Sequence, residues 1–396
     1  MFENIIFRQA MRSEDQLDLG AIAEALLFYR QVHLFADQRI LRQLVDGMGI
    51  DNIVELIDEG SLLLSFLTDL PAIETRTKGN TQTYKPILTS LVGHQGRGEY
   101  SPDELFDRAL NGKTNVLKIH EDDQAQLIKR VPHEKLINCA FGNSNPFNAF
   151  VDELKNREYG SPIAISTILH TAPYIQLPPN LYFRWLRERD DYRIDSNIPF
   201  SKLSELTGGK VTESKILSSA FEAYCDTVLA SFHVSELATG ALTSSLFSNR
   251  IHNIQEKRER NSRQISSFQQ MTIGGSFAIR ECINSREQSF HDFMPILRKS
   301  RSFRSWLQAS NPSIDLVTEY LTRTAEQTWL TKLPAKSARF LIATGVGVGI
   351  EAAIPGGLGM AVGIGASALD NFLLDRILGG WKPGQFVQGP LKKFVT

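Results

Sequence analysis

The chain has 396 residues, 42% hydrophobic and 22% charged, which excludes wholesale disorder, a collagen-like chain and a polytopic membrane protein. Its formal net charge of −1 conceals an asymmetry: residues 1–200 carry 28 acidic and 21 basic side chains, and residues 201–396 carry 16 and 22. That split fits two units facing different partners, one half lying against an anionic surface, or mutual attraction of the two halves. Cys139, Cys225 and Cys282 are odd in number and far apart, so neither a disulfide framework nor a Cys-rich zinc site is legible, a usage that suits a reducing cytosol. The opening MFENIIFRQAMRSEDQ lacks the basic, apolar and small-residue sequence of a signal peptide.

In chain order, AIAEALLFYRQVHLF (21–35) has no clean period of two or 3.6, and the aromatic and aliphatic density of its core predicts a buried strand. Asp37 is placed to cap a helix over 38–48 that stops at Gly49, and a second helix over 52–58 ends at Gly60. SLLLSFLTDLPAIETRT and TYKPILTSL, joined by Lys78-Gly79-Asn80, predict a hairpin, because Gly and Asn tolerate positive φ. Ser101-Pro102-Asp103-Glu104 is a helix start with a cap, a proline in the first turn and acids against the dipole. Helices are expected at 102–110, 122–130, 146–157 and 162–169, then an irregular link over 171–200 in which YRID is a short strand. Further helices are expected near 212–239, 241–258, 262–271, 276–289, 290–309, 313–330 and 334–350. The expected class is α+β, predominantly α-helical: a small mixed α/β unit over 1–100, a helical and irregular connection over 101–200, and a helical domain over 201–396.

The sharpest feature is FLIATGVGVGIEAAIPGGLGMAVGIGASAL (340–369), thirty residues with a single charge, Glu351. Gly345/Gly349 and Gly359/Gly363 stand at GxxxG spacing, which opens a flat helix face to close backbone approach. Lys332, Lys336 and Arg339 precede the segment, and Arg376, Lys382, Lys392 and Lys393 follow it. A spanning helix needs about 20 apolar residues, whereas Arg339 to Glu351 encloses eleven uncharged ones and Pro355-Gly356-Gly357 interrupts the rest. A helical hairpin turning at Pro-Gly-Gly fits better, either as a buried pair or as a membrane-inserting element; a Gly-rich strand is the third option. Gly347 to Ala352 matches G-x-G-x-x-A, but Pro355 breaks the helix which that fingerprint requires.

Other motifs are weak. Ser276 after Gly274-Gly275 reads as a helix cap rather than a nucleophile elbow. His133-Glu134 opens like a zinc-protease motif, but Ile137 occupies the second histidine's place. His120-Glu121-Asp122-Asp123 reads as a solvated helix start, Glu153-Leu154-Lys155 as a chance fragment of a nuclease motif, and Gly208-Gly209-Lys210 lacks the rest of a phosphate loop. RKSRSFRSW (298–306) offers Arg298, Lys299, Arg301 and Arg304 to an anionic surface, with Phe303 and Trp306 either stacking on bases or buried in an amphipathic helix.

The ending DNFLLDRILGGWKPGQFV (370–387), together with the Gly-rich run and the 290–329 helices, resembles the terminus of a group of uncharacterised bacterial proteins. That resemblance covers about the last third of the chain; it implies a bacterial origin and says nothing of chemistry. The function expected from the residues is that of a non-enzymatic, cytoplasmic interaction protein, peripheral to the inner membrane in its membrane-seeking form. It would associate through the 340–369 hairpin with a second copy, a partner protein or an anionic membrane. The alternatives are a metal-dependent nuclease or hydrolase with carboxylates on strand ends of the N-terminal unit, and a nucleic-acid binder through 298–306. No cofactor or resident metal site is legible.

Overall fold

A computed structural model describes residues 2–8, 17–79, 81–90, 101–111, 121–136, 138, 150–151, 157–188, 191–239, 246, 252–273, 278–310, 316–317 and 383–395. The expected 340–369 hairpin, the 334–350 helix and nearly all of the 313–330 helix lie outside the described residues. The strands are β1 (Asn4–Arg8), β2 (Gln31–Ala36), β3 (Leu62–Leu67), β4 (Asp69–Lys78), β5 (Thr81–Ser90), β6 (His133–Glu134), β7 (Phe183–Glu188), β8 (Asp191–Ser196) and β9 (Glu236–Ala238). The first helices are α1 (Leu19–Phe28), α2 (Gln38–Met48), α3 (Ile50–Asp58), α4 (Pro102–Asn111), α5 (Glu121–Arg130), α6 (Arg157–Thr171), α7 (Phe200–Leu206) and α8 (Glu213–Phe232). They are followed by α9 (His252–Ile273), α10 (Ala278–Asn284), α11 (Phe290–Lys299), α12 (Arg301–Ala309), α13 (Pro383–Phe386), a π-helical segment Val387–Leu391 and α14 (Lys392–Val395). Mixed helix and sheet, with helix in the majority, is therefore the class of the described residues.

Contacts divide the chain into an α/β unit (Asn4–Leu17 and Gln31–Glu259) and a helical unit (Met1–Glu3, Asp18–Arg30 and Arg260–Thr396). In the α/β unit five parallel strands form a sheet of order β6-β3-β2-β1-β9. Register aligns Ile6 with His33 and His33 with Leu63, so side chains of one parity share a face. Ile6, Phe35 and Leu67 pack on that face with Leu217, Phe221 and Cys225 of α8. On the other parity Phe66 meets Phe106 of α4 edge to face, while α2 lies on β2, α3 on β3, α4 on α2 and α5 on α3. A parallel sheet covered on both faces reads as near-continuous apolar strands, as LLLSFL does here.

At Thr68 the chain leaves this sheet and enters a second, antiparallel one of order β4-β5-β8-β7. The hairpin expected around Lys78-Gly79-Asn80 is present over β4 and β5, paired from Asp69↔Ser90 to Lys78↔Thr81 with Gly79 at φ 61°, but Leu62–Leu67 of its expected first arm is β3 of the parallel sheet. The 171–200 stretch, expected to be irregular apart from YRID, carries a second hairpin, β7–β8. Its inward Phe183 and Trp185 are buried, and Arg184 between them with Arg187 and Glu188 after them hid the alternation. Helix α6 lies so close to β7 that a Cβ on Gly160 would overlap the Phe183 carbonyl oxygen.

The helix expected over 212–239 ends at Phe232. Val234 takes φ 48°, with the amides of Val234 and Ser235 donating to the carbonyls of Ser231 (3.1 Å) and Ala230 (3.0 Å). This is the paired hydrogen-bond closure of a helix C-terminus in which the left-handed position usually belongs to glycine. The chain then runs into β9.

In the helical unit, Asp18 caps α1 by accepting from the Ala21 amide at 2.8 Å, and it also binds Arg280 and Asn284 of α10. Phe28 packs edge to face on Phe268 (5.9 Å) and Phe303 (6.1 Å), and Phe303 stacks on Phe386 at 5.1 Å. The strand expected over 21–35 is corrected here. Residues 19–28 are helical and 31–36 are strand, and α1 is buried on so many sides that it shows no polar stripe to betray its period. The single helix expected over 290–309 breaks at Ser300, while 252–258 and 262–271 belong to one continuous α9.

Two substitutions test this local account by urea denaturation. Gly160→Ala, forced against backbone, lowers stability by about 2 kcal/mol or more. Val234→Gly raises it by about 1 kcal/mol by relieving a β-branched residue of positive φ.

Candidate functional site

Along the parallel sheet the chain steps from β1 to β2 to β3 to β6 in one direction, and β9 is then added on the opposite side of β1. In open parallel sheets, ligands bind beyond the carboxyl ends of the strands where the strand order reverses. Here that place lies between β1 and β9. Arg8 is the last residue of β1, and its Nε stands 3.3 Å from Oδ1 of Asp226 on α8, with the two side chains 2% and 3% exposed. Thr239, the residue after β9, and Glu222 lie near Asp226. Burial pushes the Asp226 carboxyl up to about 7, against the pull of Arg8 and with a further push from Glu222. The Arg8 charge is thus balanced by an acid that titrates near neutrality.

The neighbouring strand ends carry more carboxyl groups. Asp37 follows β2 in extended conformation, and its Oδ1 accepts from the amides of Arg39 (2.9 Å) and Ile40 (3.0 Å), capping α2. Register pairs Arg8 with Phe35, so Asp37 stands two residues further along the adjacent strand. Asp69, after β3 and Thr68, accepts from the Leu136 amide at 2.5 Å. Glu134 lies in β6, with its backbone carbonyl accepting from the Thr68 amide at 3.0 Å. The Asp37, Asp69 and Glu134 carboxyl groups thus stand at or near separate strand ends. Among the described residues, however, no group of three or more His, Cys, Asp or Glu side chains is arranged to hold a metal ion.

A second polar cluster lies lower on the face that α8 covers. His33 Nε2 is 2.9 Å from Ser65 Oγ, and the His33 ring meets Phe35 at 4.0 Å and His233 at 5.2 Å. Burial, reinforced by His233, lowers the His33 pKa from 6.5 to about 3. The imidazole is therefore held neutral, bonded to Ser65 and packed on Phe35.

Of the residues singled out in the sequence, Arg298, Lys299 and Arg301 are exposed around the α11–α12 junction, and Arg304 donates to the Arg30 carbonyl at 3.3 Å. The rings offered for base stacking are not available: Phe303 and Trp306 are 0% and 4% exposed, held in the core of the helical unit. Gly208 and Gly209 form a turn after α7 with φ of 61° and 81°. Gly345, Gly349, Gly359, Gly363, Ser276, the Glu153–Lys155 fragment and Cys139 lie outside the described residues. The Cys225 and Cys282 thiols are buried, and their pKa values are pushed up by that burial. Among the described residues no helix is long and apolar enough to cross a membrane. Compared with known proteins, the chain matches no family model, no curated protein and no solved structure.

Two buried groups give opposite pH slopes. A histidine depressed from 6.5 to about 3 contributes stability present above pH 6.5 and lost as pH falls toward 3. An aspartate raised from 3.8 to about 7 contributes stability present below pH 3.8 and lost as pH rises through 7. Between about pH 4 and 6.5 the slopes oppose. Urea midpoints across that window should fall more steeply on acidification in Asp226→Asn than in the wild type, and less steeply in His33→Gln.

Proposed function

We propose that the chain is a binding protein whose α/β unit takes a small molecule at the carboxyl edge of its parallel sheet, between β1 and β9. The observation that carries this reading is the reversal of strand order at β1, coinciding with the buried Arg8–Asp226 pair. A buried ion pair is a costly way to stabilise a fold, and well-packed apolar residues often do as well or better. Its position at the strand ends supports a role in recognition, in which Arg8 faces an anionic group as Asp226 takes up a proton. The probes are AMP, NAD and ribose 5-phosphate, titrated into the full chain and followed by saturation-transfer NMR and calorimetry. Binding of at least one is expected, with about tenfold or greater loss in the double variant Arg8→Leu/Asp226→Leu, which removes the charges without leaving either one unpaired. Unchanged affinity in that variant would overturn the site.

A second reading rests on the sequence of 340–369 and concerns a different part of the chain. The GxxxG pairs Gly345/Gly349 and Gly359/Gly363, the flanking lysines and arginines, and the positive C-terminal half support association of this segment with another copy, a partner protein or an anionic membrane. Exposed Arg298, Lys299 and Arg301 add cationic surface. Leakage of anionic liposomes by the full chain, abolished by deletion of 340–369, is the expected result. Leakage that survives the deletion, or its absence from both proteins, contradicts the membrane form.

A further inference from the structure

The Asp37 carboxyl group is 0% exposed, yet only half of it is engaged. Oδ1 accepts both amides of the α2 cap, from Arg39 at 2.9 Å and Ile40 at 3.0 Å. Oδ2 is buried and, among the described residues, has no hydrogen-bond partner. Leaving a buried carboxyl oxygen unsatisfied costs more than a typical hydrogen bond contributes, and native proteins seldom leave one without a use. The capping role alone does not need the second oxygen, since serine caps a helix as well as aspartate does. Serine would also avoid burying the extra polar atom.

The position is informative. Asp37 is the residue immediately beyond β2, on the strand beside β1, and the Arg8↔Phe35 register puts it at the carboxyl edge next to the Arg8–Asp226 pair. A carboxylate oxygen can only accept, so whatever satisfies it must donate. Among the described residues no group of three or more His, Cys, Asp or Glu side chains is arranged to hold a metal ion, and a ligand hydroxyl is a donor of the kind this oxygen lacks. We infer that Asp37 Oδ2 is the acceptor for a hydroxyl of a polyhydroxylated ligand, a sugar or nucleoside, bound at this edge. The inference rests on the proposed ligand site and assigns the chemistry of one of its contacts.

The experiment compares Asp37→Ser and Asp37→Ala with the wild-type full chain, first without ligand. Serine retains the cap and removes only the orphan oxygen, so the Asp37→Ser chain should melt at or above the wild-type temperature, while Asp37→Ala, which loses the cap, melts lower. Equal destabilisation by both variants would mean that Oδ2 has a structural partner, and would overturn the inference. The second arm titrates AMP and ribose 5-phosphate, and beside them their 2′-deoxy and 2-deoxy analogues. The wild type should prefer the hydroxylated compound by about tenfold, and Asp37→Ser should lose that preference. Binding that Asp37→Ser leaves unchanged overturns the assignment of Asp37 but not the site. Binding of none of the probes overturns the site itself, and tighter binding of Mg²⁺ than of any probe replaces the hydroxyl with a cation.

Discussion

Five parallel strands buried on both faces constrain everything else in the α/β unit. Inside such a sheet every amide and carbonyl is paired by its neighbours, but at the carboxyl ends the ladder stops and the chain must turn while still surrounded by protein. Polar side chains have to take over there. Asp37 caps α2 with one oxygen, Asp69 receives the Leu136 amide, the Thr68 hydroxyl donates to the Glu134 carbonyl, and Arg8 meets Asp226. Most of this equipment is consumed by the fold. The Arg8–Asp226 pair and the second oxygen of Asp37 stand at the same edge.

That edge includes the place where β9 joins the sheet on the far side of β1. The helix before β9 ends in a closure that places Val234 in a conformation its side chain disfavours, and Thr239 lies near Asp226 just beyond the strand. Fold and site are thus coupled through α8. Its apolar face packs on Ile6 and Phe35, and the same helix supplies the acid that balances Arg8. The helical unit is organised differently, by a chain of aromatic contacts from Phe2 through Phe28 and Phe303 to Phe386.

Local chemistry was legible wherever a single residue decides the outcome. Asp37 and Gly49 bound α2 where a cap and a stop signal predict them, Ser101 and Glu104 form the reciprocal cap that opens α4, and Gly79 turns the long hairpin. Elements whose identity depends on distant partners were not legible. Helix α1 is too apolar to show a period, β6 and β9 have two and three residues, and β1 is a five-residue strand whose role comes from lying between β2 and β9. The site shared this fate. Asp37 was visible as a cap, but its idle oxygen is a fact of packing, and no spacing rule links Arg8 to Asp226 across most of the α/β unit.

The central claim is that the edge between β1 and β9 receives a ligand. Hydrogen exchange on the full chain, with and without saturating AMP, tests it most directly. The account predicts slowed exchange confined to the amides of residues 6–8, 37–40 and 236–239, with the aromatic core of the helical unit unchanged. Protection that falls elsewhere while these three segments exchange as before would contradict it.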